Sequence, residues 1–268
     1  MAETKDREEA LEAVKSRYIR DASTKRYATS QDINLRELEI NAISKHLSDG
    51  LQVLDVGCGN GYSVISFANL YNSNFLGIDN SQDMIDAARN LVKDEANLKG
   101  KIEFNFGDVL NLKLKPESFD IIITERLLIN LPTWEDQVNA IKSLHHLLKK
   151  EGKFLMMEAT KQGVDRLNET RKKVNLEPIP HSTKNNWWIN RFDENKIEEF
   201  LSELFEIVEV QRFGLYFFIS RVLYPLSILP EKPKFDSKLN EIARQVSLAL
   251  GSDFNKLGHT TFFLLRKK

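Results

Sequence analysis

Val53-Leu-Asp-Val-Gly-Cys-Gly-Asn-Gly61 is the stretch on which the fold turns. It opens as a short apolar strand and then places glycine at every second position. Gly57, Gly59 and Gly61 let the backbone turn tightly at the strand's carboxyl end and let a ligand approach closely. A helical pattern over 61–70 follows at once. Asp55 is a carboxylate near the end of an apolar strand, so it needs a partner to justify burial. The glycine spacing differs from the dinucleotide fingerprint, whose third glycine falls where this chain has Tyr62.

Outward from this loop, short apolar strands alternate with longer amphipathic helices. Strands are expected at Gln52–Val56, Asn74–Ile78, Lys101–Phe106, Phe119–Thr124 and Lys153–Glu158, with helices over 81–93 and 135–149. Strands that are apolar on both faces, joined by helices, imply a parallel sheet with right-handed crossovers. Two helical stretches precede the first strand, over 3–20 and 34–48, with Gly50 as a stop. The rhythm breaks over 160–191 and again over 214–258, read as insertions. A helix over 193–203 and strands Phe205–Phe213 and Thr260–Arg266 complete the chain. The domain reading is therefore an N-terminal helical lid segment, 1–49, and an α/β domain, 50–268, carrying two cap insertions.

Three further segments carry acidic residues to strand ends. Leu76-Gly-Ile-Asp79 ends the second strand with a carboxylate that can accept both hydroxyls of a ribose. Phe106-Gly-Asp108-Val109 follows the third strand, and Phe119-Asp-Ile-Ile-Ile-Thr-Glu125 forms the fourth. In this order and at these spacings, the four segments resemble the class I S-adenosylmethionine-dependent methyltransferases. The resemblance is strong over 50–160 and weaker beyond. It implies an α/β fold, a doubly wound, seven-stranded, mostly parallel Rossmann-like sheet with strand seven antiparallel between five and six. It implies S-adenosyl-L-methionine as cofactor. By the same resemblance, Gly57, Gly59 and Gly61 line the cofactor's amino-acid end, with Asp55 anchoring the loop or the ammonium. Cys58 is a small filler in that loop. Asp79 holds the ribose, flanked by Asn80 and Ser81. Met84 packs near the adenine, Asp108 faces its amino group and Val109 its ring. Glu125 and Arg126 stand where cofactor or substrate contacts are common.

Composition narrows the acceptor. With 38 basic and 39 acidic residues, net charge is −1, which gives no global attraction to nucleic acid or an anionic membrane. One cysteine, Cys58, excludes an intramolecular disulfide and suits a cytoplasmic location. The charged start does not read as a secretory signal, and no apolar run reads as a membrane span. No cluster of histidines and carboxylates at ligand spacing suggests a metal. Methyl transfer to a small molecule is expected, at a hydroxyl of a sugar, nucleotide-linked or phosphorylated metabolite. The alternatives are N-methylation of a small amine or a protein side chain, and a non-catalytic cofactor-binding partner subunit. Oligomeric state is left open.

For a hydroxyl acceptor a general base is needed. His181, in the insertion that should overhang the site, and Glu125 are the catalytic candidates, with Glu158 a rival. The insertions concentrate aromatic and arginine side chains, which suit sugars and phosphorylated acceptors. Arg126, Asn130, Arg166, Trp188, Arg191, Tyr216 and Arg221 are the candidate substrate residues, and Tyr18, Arg26 and Tyr27 candidates for the lid.

Overall fold

The computed structural model describes residues 2–21, 30–251 and 253–268. Arg26 and Tyr27 lie outside them, as does the side chain of Tyr18. Seven strands form one sheet: β1 (Gln52–Val56), β2 (Asn74–Asp79), β3 (Lys101–Phe106), β4 (Phe119–Glu125), β5 (Leu148–Ala159), β6 (Phe205–Arg212) and β7 (Thr260–Lys267). Their order is β3-β2-β1-β4-β5-β7-β6. The first five run parallel, and β7 pairs antiparallel with both β5 and β6.

Alternation along each strand sends neighbouring side chains to opposite faces, so both faces must be covered. Val53, Ile121, Ile123, Leu155, Met157 and Phe262 point to one face. There they meet α2 (Ile33–Ser44), α3 (Tyr62–Leu70), α4 (Gln82–Lys93), α6 (Lys161–Lys173), α8 (Gly214–Phe218) and α10 (Lys238–Leu250). Leu54, Ile122, Phe154, Met156 and Phe263 point to the other, against α5 (Trp134–Leu147) and α7 (Glu194–Leu204). Side-chain caps fix where these helices start: Ser81 for α4, Thr133 for α5, Asp193 for α7 and Ser237 for α10. A first helix, α1 (Ala2–Asp21), lies beyond this layered body.

The departures from the sequence reading are local. β2 and β4 each run one residue further than expected, so Asp79 and Glu125 are the last strand residues. β5 starts earlier, because Leu148 already pairs with Phe119 before the main register begins at Lys153. The stretch 160–191 is not irregular throughout: α6 fills its first half, burying Val164 and Leu167 under a run of charged residues that masked the periodicity. The 214–258 insertion is also largely helical, with α8, a π turn (Ile219–Leu223), α9 (Tyr224–Ile228) and α10. α2 ends at Ser44, well before Gly50.

Candidate active site

The loop after β1 is held in shape by backbone geometry that only glycine adopts freely. Gly57, Gly59 and Gly61 have φ of 75°, 54° and 75°. Gly57 and Cys58 both donate their N–H to the Ile78 carbonyl at the end of β2, at 2.7 and 3.0 Å. Asp79 then braces the loop from the same strand: Oδ2 accepts from Gly59 N and Oδ1 from Ser81 N, each at 2.9 Å. Gly61 serves packing rather than ligand approach, since a Cβ there would lie 2.4 Å from Phe104 Cζ.

Beside this loop a cleft, open to solvent, lies between the tips of β1, β2 and β4. Its lining brings together Asp55, Gly57, Cys58, Gly59, Asp79, Asn80, Asp108, Val109, Glu125, Arg126 and Asn130, as well as Arg36, Ser63 and Leu131. Burial pushes Asp55 well above the carboxylate range, and the charges of Glu125 and Asp79 push it further. Asp79 is also raised by burial, opposed by its backbone hydrogen bonds. Among the described residues, Asp55 Oδ1 and Glu125 Oε2 are buried without a hydrogen-bond partner. Two partnerless carboxylate oxygens in one cleft are costly unless a ligand supplies positive charge or donors. S-adenosylmethionine, implied by the resemblance above, carries a sulfonium, an ammonium and a ribose diol, so the donor set fits it. Burial and the Asp79 and Asp55 charges raise the Cys58 thiol, which excludes a thiolate nucleophile there. Asp108 is exposed, with Oδ1 capping the turn Val109–Asn111 through Leu110 N at 2.9 Å.

The opposite wall is basic. Arg126, directly after β4, has φ of 55° and is held there by its N–H to the Met157 carbonyl at 2.8 Å. Its guanidinium pairs with Glu39 of α2, which is fully buried. Asn130 donates to the Arg126 carbonyl at 2.6 Å and accepts from Trp188 Nε1 at 3.1 Å. Trp188 therefore backs the wall without lining the cleft. α1 roofs the opening with Leu11 and Val14. It is fastened by Arg7, bidentate to Asp136 at 2.7 and 2.8 Å, and by the packing of Ala10 and Val14 on Trp188.

Several expected site residues lie elsewhere, for identifiable reasons. His181 is exposed and faces Asp165 at 2.8 Å, on the surface of the cap. Glu158 is fully buried and accepts from the backbone N–H groups of Leu127, Leu128 and Ile129, so it caps the turn after β4. Burial pushes its pKa up to about 7. Arg166 is taken up by Glu194, at 2.7 and 3.0 Å, and by the Lys256 carbonyl. Tyr216 is fully buried and donates to Asp32 Oδ1 at 2.5 Å, while Arg221 pairs with Asp32 Oδ2. Arg191 reaches the His181 carbonyl. Met84 is wholly enclosed within α4's buried face and, like Gly61, is not part of the cleft lining. Sequence reasoning missed Arg36, Leu11 and Val14. Arg36 and Glu39 are both buried although charged, in a helix whose Leu35, Leu38, Ile40 and Ile43 are buried too.

A family model described as a methyltransferase domain matches residues 47–217. The chain belongs to this methyltransferase family. As a member it resembles the demethylmenaquinone methyltransferase of Lactobacillus johnsonii, 33% identical over 40% of this chain and 43% of that one. The methyltransferase chain spans about half, or less, of the curated relatives it matches. Among solved structures, its fold is like that of a chain from the Haloferax volcanii complex containing the Trm112 methyltransferase activator. That chain gives a TM-score of 0.62 at 15% identity, covering 95% of this chain and 96% of that chain. Magnesium protoporphyrin IX methyltransferase from Synechocystis, solved with bound S-adenosylhomocysteine (SAH), gives 0.56 at 16% identity, covering 88% and 84%. No helix among the described residues is long and apolar enough to cross a membrane.

Proposed function

We propose that this chain transfers a methyl group from S-adenosylmethionine to a small-molecule acceptor, at a hydroxyl of a sugar, nucleotide-linked or phosphorylated metabolite. One observation carries the reading: the partnerless, buried oxygens of Asp55 and Glu125 converge on a glycine-rich loop braced by a third carboxylate, Asp79.

In this reading Asp55 and Glu125 take the ligand's ammonium end, and the buried guanidinium of Arg36 faces its carboxylate. Each Asp79 oxygen spends one lone pair on a backbone N–H and keeps another for a ribose hydroxyl. Asn80 borders the ribose, and Asp108 and Val109 border the base. The cofactor supplies an activated methyl group on a sulfonium, an excellent leaving group. The protein's work is then alignment and exclusion of water, by the Leu11 and Val14 roof and the Leu127–Leu131 turn. In the same reading Glu125, at the tip of β4 on the acidic wall, accepts the acceptor's proton through the oxygen that the ammonium leaves free.

The test is incubation with isotope-labelled S-adenosylmethionine and panels of sugars, nucleotides and phosphorylated metabolites, read by mass spectrometry. Label should appear in at least one acceptor, and Glu125→Gln should lower kcat by at least about tenfold. Cofactor binding without transfer to any class of acceptor would instead favour a non-catalytic partner subunit.

A further inference from the structure

We propose that Arg191, at the carboxyl edge of the sheet beside the turn that walls the cleft, binds an oxyanion carried by the acceptor, either a carboxylate or a phosphate. The inference rests on the methyltransferase reading and deepens it by naming the acceptor's charge.

Backbone pairing places Arg191 at the carboxyl edge of the sheet. The residue before it, Asn190, donates its N–H to the Ile129 carbonyl at 2.8 Å, on the turn that walls the cleft. The residue after it, Phe192, donates to the Ala159 carbonyl at 3.0 Å, at the end of β5. His259, at the start of β7, stands at the same edge, its carbonyl accepting from Thr160 N at 2.8 Å. The positive charges of Arg126, Arg191 and Arg221 all act on its ring. Phe217 packs edge-on against that ring at 4.9 Å.

Three guanidiniums thus gather at one edge, and two have a carboxylate: Glu39 for Arg126 and Asp32 for Arg221. Arg171 is held by the Arg221 and Glu177 carbonyls. Among the described residues no carboxylate pairs with Arg191, whose hydrogen bond goes to the His181 carbonyl. Its Nε is buried with no partner, and burial is what lowers its pKa. A half-buried guanidinium without a counter-ion is destabilising in the free protein and becomes an asset once an anion arrives. Burial and the three cations push the His259 ring down to about 3, so it is neutral and adds a hydrogen-bonding group without a fourth charge. The acidic residues of the cleft suit a cationic cofactor, and Arg191 at the neighbouring sheet edge suits an anionic acceptor.

The experiment is calorimetric titration of the full chain. SAH is titrated first; then inorganic phosphate and citrate are titrated separately into the saturated protein. At least one anion should bind, phosphate pointing to a phosphorylated acceptor and citrate to a carboxylated one. Arg191→Gln should weaken that binding by at least about tenfold, and Arg191→Lys should retain most of it. Lys142→Gln, an equal change of charge on the exposed face of α5, should leave it unchanged. Without anion, Arg191→Gln should melt no earlier than the wild type, and the rise in melting temperature with anion should vanish. Absence of SAH binding would overturn the methyltransferase reading itself. SAH binding with neither anion binding, or equal weakening by Arg191→Gln and Lys142→Gln, would overturn this inference alone.

Discussion

On one side of the cleft three carboxylates, Asp55, Asp79 and Glu125, stand on β1, β2 and β4. On the other, Arg36 and Arg126 come from α2 and the exit of β4, while Arg191, in the segment before α7, stands outside the lining. The acidic wall is built from adjacent parallel strands, so its geometry is fixed by the sheet register: Asp55 sits beside Gly77 and Ile123 in neighbouring strands. The basic wall has no such frame. Arg126 is held by a pair between distant elements, with Glu39 of α2. The lesson is that the acidic side of the cleft is framed by the sheet, while the basic side is assembled from elements outside it and depends on a buried ion pair.

That contrast can be broken at its weakest joint. Glu39→Ala strips the buried partner from Arg126, and removing one member of a buried pair costs about 4 kcal/mol. Urea unfolding should show that loss, and SAH affinity at folded concentrations should change little. A large loss of cofactor affinity with little loss of stability would reverse the division between the walls.

Glu158 sharpens the same division, because it supports the turn that both walls share. Its folded pKa, raised to about 7 from 4.5, means the fold holds its proton more tightly than the unfolded chain. Its contribution is therefore full below pH 4.5 and declines as pH rises through 7, on the order of 3 kcal/mol in all. Glu158→Gln should flatten that decline, measured by urea unfolding in steps from pH 4.5 to 8. The depressed pKa values of His259, His145 and His46 act in the opposite sense, losing stability as pH falls. They are common to both proteins and cancel in the difference.

On the acidic wall, Asp79→Ala removes the brace on Gly59 and Ser81 and the ribose acceptor together. SAH should bind about a hundredfold more weakly, near 2.7 kcal/mol. The smallest effect is expected at His181→Gln. An exposed pair with Asp165 contributes under about 0.5 kcal/mol, and methyl-transfer rates should be unchanged. A tenfold fall in kcat there would return the base to the cap.

How much of this was legible follows from the same contrast. The strand and glycine-loop segments were readable because hydrophobic alternation and φ-permissive glycines leave local marks, and each acidic wall residue lies on or beside a strand end. Arg36 was not, because its place in the cleft comes from α2 meeting residues far along the chain, Asp55 and Glu125. Arg166 and Tyr216 read as site residues by type and insertion, yet their polar groups are consumed by Glu194 and Asp32. His181 read as a base from its loop, but sequence cannot say which way a loop carries a side chain. The charged run Lys161–Lys173 concealed α6 because its buried stripe is only Gly163, Val164 and Leu167.

The most direct measurement is calorimetric titration of the wild-type chain with SAH and, separately, with a nicotinamide dinucleotide. One-to-one binding of SAH is expected, lost in Asp55→Ala at unchanged melting temperature, with no binding of the dinucleotide. Binding of the dinucleotide, or no heat with SAH from a folded chain, would contradict the methyltransferase reading.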